Sequence, residues 1–143
     1  MPTESRVKSP GWWPTKGDAS RDSYVGTSPP PTFAWDGLVR PDGLCDIPAS
    51  AFLRPYTPGR RRLDPIRLRR LTSGMRDAAR RRRIFHLWWH PHNFARYPQE
   101  NFAFLGQLLD EFDRLARVEG MRSMSMGDVA AAVLPASRTD TDA

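Results

Sequence analysis

Three histidines, His86, His90 and His92, fall within seven residues and are the only ones in the chain. Imidazole titrates near neutral pH, so such a cluster suits proton transfer or metal ligation. On an extended strand residues 86, 88, 90 and 92 point the same way, which puts the three imidazoles and Trp88 on one face. Pro91 ends such a strand, placing His90 at its carboxyl end and His92 with Asn93 in the loop beyond. In parallel α/β proteins that end carries the chemistry, because the loops there frame the site. Location therefore marks His90 for proton transfer and His86 for a hydrogen-bonded core position. No Cys, Asp or Glu lies beside these histidines to complete a zinc shell, and their spacing matches no standard zinc motif. No metal bound by this chain alone is expected. Nucleophilic catalysis has little basis: the single cysteine, Cys45, falls in an apolar run, and no Gly-x-Ser-x-Gly elbow occurs. Glycine-rich nucleotide and phosphate loops are absent as well.

These residues need elements to hold them. Residues 84–90 are aromatic and apolar on both faces, the pattern of a strand buried in a parallel sheet under helices. Residues 43–47 form a shorter apolar run between Pro41-Asp-Gly43 and Pro48, read as a first strand, and residues 121–124 as a third. Helices are expected over 64–81, 98–118 and 126–133. The first opens on Asp64 as N-cap with Pro65 behind it, and carries Leu68, Leu71, Met75 and Ala78 on one stripe. The second starts at Pro98, sets Phe102, Leu105, Leu108, Leu109, Phe112, Leu115 and Ala116 on one stripe, and stops at Gly120. Ser125 with Asp128 gives the third a capping box. The order is β-α-β-α-β-α. Strand starts at Leu44, Ile84 and Met121 lie 40 and 37 residues apart, which suits helical crossovers between parallel strands. Such a run is α/β and makes part of a barrel without closing one, since closure takes about eight strands.

Composition bounds the rest. The chain has 143 residues, room for one domain, and ten of its 14 prolines lie in the first 60. Residues 1–34 read as a disordered or loosely packed Pro-rich tail, 36–134 as the folded section, and 135–143 as a disordered tail. One cysteine forbids an internal disulfide, and no apolar run reaches the ~20 residues of a membrane span. A cytoplasmic chain without membrane contact is expected. Its net charge of +6 is local: between Arg60 and Arg83 eleven arginines face only Asp64 and Asp77. A polyanion such as nucleic acid is one reading of that run. No aromatics interleave with the arginines as a single-strand groove requires, so a solvated helix face is the preferred reading and a basic binding or scaffold module the alternative.

The block Ile84-Phe-His-Leu-Trp-Trp-His-Pro-His-Asn93 resembles the C-terminal end of a polysaccharide deacetylase, the carbohydrate esterase family with a NodB-like domain. The helix with Phe104-Leu105 and Leu108-Leu109, then Met124-Ser-Met126 and Val129-Ala130, extend the likeness over about residues 36–132. Leu87-Trp88-Trp89-His90 is similar to the family's last motif, Leu-x-x-His, on a late strand of a distorted (β/α) barrel. The resemblance implies that His90 is the general acid for the leaving amine of an N-acetyl group, and that Leu87 lines the acetyl pocket. It also implies that Asp46 partners the imidazole, and that Trp88, His92 and Asn93 meet the carbohydrate. The family's divalent metal, zinc by preference, is held by an Asp and two His upstream, and its Asp-Asp, His-x-x-x-His and Arg-x-Pro segments find no match in residues 1–43. The expectation is a C-terminal section, inactive alone, that takes a carbohydrate substrate when an upstream half completes it. Self-association through exposed strand edges is expected too.

Overall fold

A computed structural model describes residues 28–134; the readings made for residues 1–27 and 135–143 lie outside them. Two strands and three α-helices follow in order: β1 (Ala51–Phe52), α1 (Asp64–Arg81), β2 (Leu87–Trp88), α2 (Pro98–Glu119) and α3 (Met126–Val133). The chain is mixed helix and strand. Its one sheet is small: β1 and β2 pair in parallel, Ala51 opposite Leu87 and Phe52 opposite Trp88.

Local signals set the helices. α1 grows without a break from a 3-10 turn, Pro58–Leu63, so Asp64 already has helical backbone angles and is not the N-cap that its sequence position suggests. Its carboxylate instead accepts from Arg67 Nη1 at 2.6 Å, while Arg67 Nη2 donates to Arg54 O at 2.6 Å. At the other end Arg82 takes the left-handed conformation (φ 54°), and Arg83 N–H reaches back to Ala78 O at 2.8 Å. The Trp35 indole N–H donates to Arg82 O at 3.0 Å and holds that cap in place. Gly120 closes α2 at φ 71°. Ser125 and Asp128 form the expected reciprocal capping box at the start of α3.

α1 and α2 pack on each other. Leu53, Leu71, Met75, Phe94, Leu108 and Leu115 make the core, with Leu87, Phe85, Leu105 and Phe112 partly buried against it. Asn101, buried at the start of α2, accepts from Tyr56 N–H at 2.6 Å and ties the segment after β1 to that helix. Arg76 of α1 and Arg114 of α2 both bond Glu111, each at 2.7 Å. Residues 28–34, assigned by composition to the tail, lie along α1. Thr32 Oγ1 donates to Asp77 at 2.7 Å, and Phe33 pairs antiparallel with Ile84.

The strands differ from their expected places. No strand forms over 43–47; Cys45 makes a single antiparallel bridge to Val39, and Leu44 is 62% exposed. The cause is the Pro41-Asp-Gly43 turn: Gly43 at φ 82° folds the chain back on itself, so this run meets its own upstream residues. The strand that pairs with β2 comes a few residues later, after Pro48. Residues 121–124 form no strand, so the expected third strand is missing among the described residues. The stripe on α2 is also wider than α1 can cover. Leu108 and Leu115 are buried, while Phe102 and Leu109 are 60% and 54% exposed.

Candidate functional site

The parallel pair has a carboxyl end, and the aromatic cluster gathers there. Leu53 N–H donates to Trp88 O at 2.9 Å, the last rung before the strands part. Alternation along β2 then sends Leu87 toward the core and Trp88 outward. Trp88, expected to be covered on both sides, is 39% exposed among the described residues. Its ring centroid is 4.5 Å from that of Phe52, its partner in register.

His90 stands exposed just past this end. Its backbone is extended (φ −99°, ψ 127°), and it precedes the 3-10 turn Pro91–Phe94 that Pro91 imposes. Asn93 N–H donates to His90 O at 3.0 Å and closes that turn. The His90 ring meets the Trp88 edge at 5.1 Å in a T-shape and lies 6.0 Å from Phe52. His92 stacks on His90 at 5.2 Å with 20° between the rings. Trp88, His90 and His92 thus come together on an open surface buttressed by Phe52. Such a surface offers a proton-carrying imidazole beside an aromatic wall on which an apolar ring face can lie.

His86 is placed otherwise. It is half-buried, its N–H donates to Ser50 Oγ at 3.0 Å, and its Nδ1 sits 3.3 Å from Pro48 O. That contact is satisfied when the proton is on Nδ1, which makes His86 a clamp between the 48–51 segment and β2. Leu87 is half-buried and packs against the core, on the side of β2 away from Trp88. Asp46 lies before β1, its N–H donating to Leu38 O at 2.8 Å. No hydrogen bond or ion pair joins its carboxylate to His90 among the described residues; the turn at Gly43 that displaces the expected strand displaces Asp46 with it. Asn93 contributes its backbone to the turn and is half-buried.

No three His, Cys, Asp or Glu side chains gather to hold a metal ion among the described residues. His90 and His92 stack face to face with no carboxylate in the cluster, so the residues present do not fit the divalent metal that the resemblance implies.

The arginines divide into groups. Arg67, Arg76 and Arg81 are in ion pairs, and Arg70 Nε donates to Ser28 O. Exposed arginines also flank α1, Arg61 and Arg62 just before it and Arg80, Arg82 and Arg83 at its close, with the helix between them about 27 Å long at 1.5 Å per residue. The carboxyl-terminal group also opposes the negative end of the helix dipole.

Phe52 was not legible as a site residue; the signal for it is the Ala51-Phe-Leu53 run shortly after Pro48. Comparison with protein-family models, with curated proteins and with solved structures finds no match.

Proposed function

We propose that the chain is carbohydrate N-deacetylase-like, a section of a (β/α) barrel that contributes the acid side of a site hydrolysing the N-acetyl amide of a glycan. One observation supports it above the others: His90 stands exposed at the carboxyl end of a parallel strand pair, with Trp88 against its ring. In that reaction a water oxygen adds to the acetyl carbon, its proton passing to a base on the segment that completes the site, and the carbon–nitrogen bond breaks. The His90 imidazolium passes its proton to the leaving nitrogen, giving acetate and a free amine. Trp88, with Phe52 tilted against it, supplies an apolar wall for one face of the sugar ring, and His92, stacked on His90, restricts how the imidazole turns. The metal-binding side of the site is the part for another polypeptide segment to provide, as the described residues do not fit one.

The test joins this chain to a metal-binding half taken from a complete deacetylase of the family and measures acetate release from N-acetylated chitooligosaccharides. His90→Ala should lower turnover by about 10²–10⁴ with unchanged metal content. Full activity in that variant refutes the acid role, and loss of metal makes His90 a ligand. The other reading, a basic module for a polyanion, draws on the exposed groups at Arg60 to Arg62 and Arg80 to Arg83. It requires that an oligonucleotide bind at one or both clusters with salt-sensitive affinity.

A further inference from the structure

The chain also has an open groove of about 750 Å³, within the range of small-molecule sites, which His86, Leu87 and Trp89 border from the side of β2. Neither Trp88, His90 nor His92 borders it. Leu105, Leu109 and Phe112 of α2 line one part of it; the segment from Met121 through Met124 and Met126 into α3 lines another. α3 buries only Val129, so the methionine wall is lightly fastened. Methionine side chains are unbranched and adaptable, and they suit a flexible apolar occupant better than a rigid one.

The rim is charged. Arg82, Arg83 and Arg122 all border the groove, and none of them makes an ion pair among the described residues. Glu119 is the one acidic side chain on the lining, and Asp128 lies near enough to Arg122 to feel its charge. The bond from the Trp35 indole to Arg82 O fixes the backbone from which two of these arginines project. Guanidinium groups match a carboxylate in planar, bidentate fashion.

We infer that the groove binds a long-chain carboxylate, its tail along the Leu105, Leu109 and Phe112 wall under the methionines and its head at Arg82, Arg83 and Arg122. The experiment titrates the full chain, labelled at its methionine methyls, with decanoate below its micellar concentration, with decanol and with acetate. Decanoate should bind saturably, one per chain, and shift the methyls of Met121, Met124 and Met126. Decanol should bind about tenfold more weakly, and acetate should not shift those methyls at the same concentrations. The triple variant Arg82→Gln, Arg83→Gln, Arg122→Gln should keep its helical circular dichroism and lose about tenfold in decanoate affinity. Equal affinity for decanol and decanoate overturns the proposal, as does an unchanged triple variant. A dimer in sedimentation equilibrium whose groove methyls are already covered overturns it as well.

Discussion

Two glycines inside helices make a matched test of the packing. Gly74 in α1 and Gly106 in α2 both sit in helix interiors, where alanine is favoured over glycine by about 1 kcal/mol. Their surroundings differ. A methyl group at Gly106 meets nothing within 4 Å, whereas at Gly74 it would lie 2.7 Å from Phe85 Cε2 and 3.0 Å from Pro30 Cδ. Both neighbours are rings, and Phe85 is packed against the core, so neither gives way cheaply. Forcing an extra carbon into a packed site costs about 1–3 kcal/mol. Gly106→Ala should therefore stabilise the fold by about 0.5–1 kcal/mol, and Gly74→Ala should destabilise it by about 1 kcal/mol after its propensity gain. Urea denaturation followed by circular dichroism reads both midpoints, and the two variants should differ by about 2 kcal/mol. Adding Phe85→Leu to Gly74→Ala should recover part of the loss, as coupled neighbours do. Equal stabilisation by the two alanines would refute the seating of Pro30 and Phe85 on α1, and with it the placing of the 28–34 segment.

Other outcomes follow from the same contacts. Arg114 and Arg76 bond Glu111 and lower its carboxyl from 4.5 to about 2. A folded value below the unfolded one means stability that is present above about pH 4.5 and is lost as pH falls toward about 2. Both arginines are nearly half exposed, so screening reduces the effect to about 1 kcal/mol, and Glu111→Gln should flatten that acid limb in pH-dependent denaturation. Arg82 occupies the left-handed region at φ 54°, which costs an ordinary residue about 1–2 kcal/mol. Arg82→Gly should raise the thermal midpoint, with a net gain of about 0.5–1 kcal/mol after the entropy of glycine is counted; a lowered midpoint would mean that the Arg82 side chain contributes more than its backbone costs.

The helices were legible because their signals are local. Pro98, Gly120 and the Ser125–Asp128 pair act within one turn of the chain, and the helix limits fall within a residue of those expected. The strands were not, since a two-residue parallel pair is chosen by what lies across from it, and the apolar run at 43–47 reads the same whether it pairs or turns back. In the candidate site Trp88, His90 and His92 were legible for a similar reason: one extended run brings them together. Phe52 and the displacement of Asp46 depend on how β1 is reached from Pro48. The groove was hidden because it depends on where the 121–126 segment and α3 lie relative to α2, a relation that no periodicity encodes.

The proposed function requires that the surface at the end of β2 receive an N-acetylated sugar at His90. The most direct measurement is a nuclear magnetic resonance titration of the chain with N-acetylglucosamine oligomers, observing the His90 ring and the Trp88 indole. Saturable shifts at these two residues and at His92, abolished by Trp88→Ala with the fold intact, are expected. Undisturbed His90 and Trp88 signals at saturating oligomer, or shifts confined to the arginine clusters of α1, would contradict it.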